Sequence, residues 1–428
     1  MRILMLSQFY QPIIGGGAIH VRSLGLELVS RGHDVAVVTL WHEGQAEFEL
    51  DRGVRVYRVR SSIRRATWLF SDQGRQFAPP FPDPEVMLAL RRIILHEQPE
   101  IVHAHNWLVY SFLPLKAWSG ARLIVTLHSF DLACAKTTLL YHGSTCDGPG
   151  FTKCLGCAAQ HYGLAKGTFT VLSHWVMDLI RRGAVDMFLT VSQPAAVGNG
   201  LVGSRLPFQV IPNFMPSEAG VPEGDIEPYL AQLPAGDYLL FVGALSRQKG
   251  VDVLLRAYAG LPKAPPLVLI GYPTPEWSIL SVDCPDNVFV LKAWPRYAVM
   301  EAWRRSMMAL LPSVGPETFG MVVMEAMSAG RPVIASRIGG LVDLVADGET
   351  GFLIQPGDAL ALQQAIERLL ADPDLRRSMG QAALRKVVEF QASIVVPRIE
   401  RVYEELLQKG NLSQRTGLRD DSVGATRA

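Results

Sequence analysis

The sequence predicts an α/β protein built from two open, doubly wound parallel sheets, and three observations carry that prediction. Short β-rich runs alternate with amphipathic helical stretches from the first residues onward. A break bearing Pro and Gly interrupts the alternation near residue 213, and a second strand-helix series follows it. At roughly 150 residues per domain, 428 residues are too many for one ordinary core and exclude a small binding module.

Taken in order, residues 2–6, 18–30 and 34–40 read as strand, helix and strand. Further strands are expected at 54–59, 101–104, 123–126 and 187–191, with helices near 84–97 and 174–182, giving one Rossmann-like sheet over residues 1–212. Pro212 and Pro216 stop regular structure, and 213–236 reads as the linker. Strands at 238–242, 267–270, 288–291, 308–311 and 332–335 then define a second domain over 237–394. Ile399, Val402, Tyr403 and Leu406 form an i, i+3, i+4, i+7 stripe, so 395–410 reads as a helix packing back on the first domain, with Pro397 in its first turn. Residues 411–428 carry no aromatic side chain and little aliphatic content, so a disordered tail is expected.

Composition narrows the function. Apolar residues are 49% and charged residues 19%, with 41 basic against 40 acidic side chains, which excludes a disordered chain and a nucleic-acid tail. Up to residue 210 there are 20 basic and 15 acidic residues, so the first domain is the one to meet an anionic partner. No apolar run reaches the length of a membrane span or a signal peptide, and the reading is cytoplasmic, at most at the inner face of a membrane.

Three features of the second domain point to one anionic ligand. Gly243 ends a strand, and Arg247, Lys249 and Gly250 precede a helix, so two cations lie beside free helix N–H groups, an arrangement suited to phosphate. Glu325 lies among Met321, Val322, Val323, Met324, Ala326 and Met327, and a buried carboxylate must find a donor, a ribose hydroxyl or a core arginine. Glu317 precedes it by eight residues, roughly 12 Å if helical throughout, and Gly320 marks a helix N-terminus between them. Gly339 and Gly340 form a further close-approach loop.

These motifs, in order, resemble the retaining glycosyltransferases of family 4, which have the two-domain GT-B fold with two Rossmann-like sheets facing across a cleft. The resemblance rests on GGG at 15–17, HAH at 103–105, TLH ending at His128, VSQ at 191–193, VIPNF at 210–214 and FVGALSRQKG at 241–250. The glutamate pair, GRPVIAS at 330–336 and the GG that follows complete it. It implies that Arg247 and Lys249 bind the donor diphosphate, Glu325 the ribose, Glu317 a hydroxyl of the transferred sugar, and His128 the sugar near the reacting carbon. Gly16, Gly17, Gly243, Phe319 and Gly320 belong to the same implied donor site. It further implies a UDP- or GDP-hexose donor, a glycan, lipid-linked or small-molecule acceptor, a role in cell-surface polysaccharide or glycoconjugate synthesis, and front-face attack without a catalytic metal. A glycosyl-enzyme intermediate needs carboxylates about 5 Å apart flanking the bond, and Glu317 and Glu325 are poorly spaced for that. His105 is at most a neighbour of the site, and His103 shares its strand face.

Two other features stand outside the donor site. Cys134, Cys146, Cys154 and Cys157 fall within 24 residues, and a C-x-x-C half favours a structural metal, zinc before iron–sulfur, with disulfides and free thiols as alternatives. Arg58, Arg60, Arg64, Arg65 and Arg75 alternate with Trp68, Phe70, Phe77 and Phe81, a combination that suits anionic lipid or a pyrophosphate-linked acceptor, against an ordinary packed loop. A dinucleotide oxidoreductase fails on spacing, because Gly15 to Gly17 are consecutive and do not make G-x-G-x-x-G. A sugar-nucleotide isomerase or epimerase on the same fold and a non-catalytic nucleotide-sugar scaffold remain as rivals.

Overall fold

The computed structural model describes residues 1–13, 15–69, 78–216, 224–282, 284–292 and 294–420, without the side chains of 66–69 and 410–420. The first sheet uses β1 (Arg2–Leu6), β2 (Asp34–Leu40), β3 (Phe48–Asp51), β4 (Val54–Val59), β5 (Ile101–Ala104) and β6 (Arg122–Leu127). A two-stranded ribbon, β7 (Leu140–Tyr141) and β8 (Ser144–Thr145), precedes β9 (Met187–Thr190) and β10 (Phe208–Val210). Strand order is β10-β9-β6-β5-β1-β2-β4-β3, parallel throughout except for β3 at the edge. The order reverses between β1 and β5, so a crevice opens beyond their carboxyl ends, where Gln8 N–H donates to Asn106 Oδ1 at 3.0 Å.

The second sheet contains β11 (Leu239–Val242), β12 (Leu267–Ile270), β13 (Val288–Leu291), β14 (Ala309–Leu311), β15 (Val333–Ser336) and β16 (Gly351–Ile354), in the order β13-β12-β11-β14-β15-β16. Its pairs are all parallel, and its reversal lies between β11 and β14. Near-continuous apolar strands such as LLFV and LVLI are what a sheet covered on both faces requires. Each sheet accordingly has two apolar clusters, one per face. Strands β3, β10 and β16 are absent from the sequence reading because they are short and lie at sheet edges, where little hydrophobic pattern is needed.

The terminal helix, Ala392–Asp420, covers one face of the first sheet. Ala392, Val395, Val396, Ile399, Val402, Tyr403 and Leu406 join Met5, Val37 and Ile101 in one buried cluster. One expectation about it needs correction. The helix begins at Ala392, so Pro397 lies inside it and not in its first turn. Of the tail expected over 411–428, residues 421–428 lie outside the described residues. The chain crosses between domains twice, and the two crossings pair: Met215 bridges Gln391, and Met215 N–H donates to Phe390 O at 2.7 Å. Part of the 213–236 linker, residues 217–223, is outside the described residues.

Buried Tyr403 ties the helix to the first sheet through its hydroxyl, 2.7 Å from His103 Nδ1. Tyr403→Phe leaves that ring nitrogen buried without its partner, which costs about 1–3 kcal/mol. Urea unfolding is expected to show that loss in the transition of the first domain, and a change under about 0.5 kcal/mol counts against the tie.

Candidate active site

The loops that follow β11 and β14, at the switch point of the second sheet, pack backbone to backbone. Gly250 has φ +71°, and a Cβ there would lie 1.8 Å from Pro312 O. Gly250 also stands as the N-cap of helix Val251–Ala259. The exposed side chain of Arg247 and the half-buried Lys249 therefore flank a helix N-terminus. Lys249 Nζ donates to Glu317 Oε1 at 2.5 Å, and Ser313 Oγ donates to the same oxygen at 2.8 Å. Glu317 and Lys249, singled out separately in the sequence, are thus direct partners.

Gly339 and Gly340 are a close-approach loop, but what approaches is the protein's own chain. A Cβ at Gly339 would meet Glu317 O at 2.0 Å, one at Gly340 would meet Thr318 O at 2.5 Å, and Gly340 N–H donates to Glu317 O at 2.8 Å. Gly320, at φ +113°, caps helix Met321–Ser328. The segment from Glu317 to Glu325 is therefore not one helix, and the 12 Å separation expected for a continuous helix does not apply. Glu325 is 6% exposed, and Arg296 Nε donates to its Oε1 at 2.8 Å. An arginine is therefore a partner of Glu325, half-buried Arg296 and not a residue of the core, and no local pattern marks it. Phe319 is buried against Phe390, with ring centroids 5.9 Å apart, so its ring serves the core.

Across the cleft, helix Gly16–Ser30 starts at the GGG loop. A Cβ at Gly15, Gly16 or Gly17 would meet nothing within 4 Å, so the packing of the chain itself does not require glycine at these positions. The first N–H groups of that helix are free of intrahelical partners by geometry. One turn in, buried His20 approaches His128, with centroids 4.7 Å apart, and Phe214 at 5.2 Å. His105 Nδ1 and His128 Nε2 share a hydrogen bond of 3.0 Å. His103 is a core histidine: its second nitrogen lies 2.7 Å from Thr126 Oγ1. His20 was missed, because nothing in its spacing separates it from the other inward positions of an amphipathic helix.

Hydrogen bonds bring the halves together at this point. Thr318 Oγ1 donates to His128 O at 2.8 Å, and Ser192 Oγ donates to Thr318 O at 2.5 Å. His128 is thereby bonded to the residue that follows Glu317. Nitrogens of His20, His105 and His128 lie within 4.8 Å of one another, a spacing that a divalent ion can bridge, although His105 and His128 already bond each other.

Burial holds these imidazoles neutral. His128 is pushed down to about 4, and His103 to about 3 by burial and then by His128. His20 and His105 lie well below the ordinary histidine value, again through burial first. The unfolded chain takes up these protons near pH 6.5 and the folded chain only far below it, so stability is present in full above pH 6.5 and is lost as pH falls. Each imidazole adds about 1.4 kcal/mol per pH unit to that slope between the two values. Denaturant melts from pH 7.5 to 5 are expected to show the loss, and His105→Asn to reduce it; a flat profile would contradict the neutral cluster.

Cys134, Cys146, Cys154 and Cys157 line one small cavity of about 20 Å³. None is in a disulfide. Burial pushes the Cys154 thiol up, and the proximity of Cys134 and Cys146 adds to the shift. No three of the four sulfurs reach the mutual 4.8 Å that the histidines reach among the described residues. In the arginine-aromatic segment, Arg58 is buried and pairs with Glu49, Arg60 pairs with Glu47, and Arg64 and Arg65 share Glu85. These four arginines are committed to the protein's own acids. Phe70, Arg75 and Phe77 lie outside the described residues, as does the side chain of Trp68.

Comparison with known proteins gives the same reading. Residues 232–386 match the family described as glycosyl transferases group 1, and residues 14–216 match Glycosyltransferase Family 4. A glycogen synthase from Mycobacterium tuberculosis is 26% identical over 94% of both chains. A D-inositol 3-phosphate glycosyltransferase from Corynebacterium diphtheriae is 33% identical over 39% of this chain and 42% of that one. Among solved structures, sucrose-phosphate synthase from Thermosynechococcus elongatus superposes with a TM-score of 0.74 at 22% identity, covering 95% of this chain and 99% of that one. Anabaena HepE in complex with UDP gives 0.65 at 17%, covering 95% and 100%. The two sheets form a GT-B fold, and the chain, a nucleotide-sugar-dependent transferase, belongs to the family 4, group 1 glycosyltransferases.

Proposed function

We propose that the protein is a retaining hexosyltransferase, moving a sugar from UDP or GDP to a glycan, lipid-linked or small-molecule acceptor in cell-surface polysaccharide or glycoconjugate synthesis. The observation that carries the reading is the loop at 313–320. On one side its Glu317 bonds Lys249 beside a helix N-terminus, and on the other its Thr318 bonds the backbone of His128. Phosphate binds between Arg247, Lys249 and that helix end, with Gly243 leaving the approach clear. Glu325 takes the ribose, Glu317 a hydroxyl of the sugar, and the backbone at Phe319 and Gly320 the diphosphate. Gly16 and Gly17, which the chain's own packing leaves open, bring the first domain's backbone to the donor.

In this reading the bond between the anomeric carbon and the diphosphate oxygen breaks, and its electron pair stays on the phosphate. Fixed cations and helix N–H groups stabilise that growing charge more than they stabilise the intact donor. The acceptor oxygen attacks from the same face, and its proton passes to the departing phosphate oxygen. Glu317 is oriented by Lys249 and Ser313, and Glu325 by Arg296, each through Oε1, which suits them to hold donor hydroxyls. His128, neutral at physiological pH, positions the sugar hydroxyls near the reacting carbon. No metal is assigned to catalysis, because no D-x-D pair lies between strands to hold one.

The four cysteines belong to this reading as a structural metal site, zinc before iron–sulfur. Support comes from their convergence on one cavity, since a closed tetrahedral zinc site takes four thiolates from neighbouring segments. The protein acts in the cytoplasm, against the inner face of an anionic membrane. Among the described residues no helix is long and apolar enough to cross a membrane.

A thermal-shift panel of UDP, GDP, ADP, their sugars and NAD tests the donor site. One diphosphate is expected to stabilise the protein, and Lys249→Ala to weaken its binding about tenfold or more by calorimetry. Stabilisation by NAD alone refutes the reading, and donor turnover without any acceptor points to the isomerase. Elemental analysis of anaerobically purified protein is expected to find about one zinc or a cluster's iron per chain. Finding neither removes the metal.

A further inference from the structure

Helix Leu164–Ala184 is turned inside out for a water-soluble protein. Its buried side carries the polar residues: His174 Nε2 lies 2.9 Å from Asp131 O, and Arg181, 0% exposed, pairs with Asp131 at 3.2 Å and Asp178 at 3.0 Å. Its outward side carries Phe169, Leu172, Trp175, Val176, Leu179 and Ile180, with exposures from 40% at Trp175 to 76% at Leu179. These positions follow i, i+3, i+4, i+7 spacing with no charged residue among them, the pattern of a helix that expects an apolar partner. The helix cannot roll to hide them without parting buried Arg181 from Asp131, a costly change for a buried cation.

The apolar face continues onto its neighbours. Phe151, on the preceding helix Phe151–Tyr162, meets Trp175 edge-on at 5.3 Å, and Phe81 meets Phe169 at 5.4 Å. Against the same face of the first sheet, helix Pro84–Glu97 exposes Leu88 and Leu95 with Arg91 and Arg92 between them. The charge bordering the face is basic. With Arg181 buried, Lys153, Lys166 and Arg182 stand against Asp147 and Asp178 at this surface, Arg64 and Arg65 share the one acid Glu85, and Arg91 and Arg92 are exposed on the neighbouring helix. A second copy docked here by two-fold symmetry would set basic borders against each other, whereas anionic headgroups complement them.

We infer that helix Leu164–Ala184 and its neighbours form the surface by which the protein lies on an anionic lipid bilayer, with the apolar side chains in the acyl boundary and the basic border among the headgroups. The inference rests on the membrane contact in the reading above and moves that contact from the arginine-aromatic loop to this helix layer. Loops at the carboxyl end of the first sheet, including Phe81, then border the membrane, where a lipid-linked acceptor would enter the cleft.

The test is flotation of the full chain with vesicles of phosphatidylcholine plus phosphatidylglycerol and with phosphatidylcholine alone. Wild type is expected to float with the first and weakly with the second. Leu172→Glu/Leu179→Glu and, separately, Arg91→Glu/Arg92→Glu are expected to lower binding about tenfold or more. Equal flotation with both vesicles, unchanged binding by both variants, or a stable dimer in light scattering that Leu179→Glu dissolves would each overturn the assignment. Stabilisation by nucleotide diphosphate is measured on the same samples. A variant that keeps it has kept its fold, and a wild type that floats but ignores every nucleotide loses the donor reading while keeping this surface.

Discussion

Three glycines allow the loop bearing Glu317 to lie where it does, because backbone there touches backbone. Gly250 lies against Pro312, and Gly339 and Gly340 against Glu317 and Thr318, at distances that no Cβ could share. The carboxylate of Glu317 is thus aimed by main chain on both sides and not by side-chain packing that can relax. That constraint places Glu317 beside Lys249, and it places Thr318 within hydrogen-bonding reach of the other domain. Electrostatic stabilisation depends on groups that need not reorganise as charge develops, and rigid backbone contacts provide such groups.

The opposite wall of the cleft achieves order by another route. His20, His103, His105 and His128 gather at one place, and burial keeps them uncharged. A neutral imidazole offers one donor and one acceptor, so each bond in the group limits the tautomer of its neighbour. The sharing of a proton between His105 and His128 leaves Nδ1 as the nitrogen of His128 open to a ligand.

Much of this was legible from residue order. Strand-helix alternation and the Pro-bearing break gave both sheets, since parallel strands buried on both faces must be apolar and their crossovers must be amphipathic. Arg247, Lys249, Glu317 and Glu325 were legible because charged residues beside glycines or inside apolar runs need a reason to be there. What escaped depends on contacts between distant segments. The pairing of Lys249 with Glu317, of Arg296 with Glu325 and of His20 with His128 each joins segments distant in sequence, and no local pattern records such a meeting. Pro397 misled for a related reason: proline marks helix starts by propensity, but here tertiary packing of Val395, Val396 and Ile399 carries the helix through it.

The paired crossings at Met215 and Gln391 have a consequence for how the molecule divides. The first sheet has one face made of helices from its own half of the chain and the other completed by the last helix, whose residues follow the entire second domain in sequence. No single cut therefore yields two intact halves. A chain that ended in the 213–236 linker would lack the last helix over Met5, Val37 and Ile101. The amino-terminal domain is complete only once the carboxyl-terminal residues have been made, so on the ribosome the half synthesised first is the half that must wait.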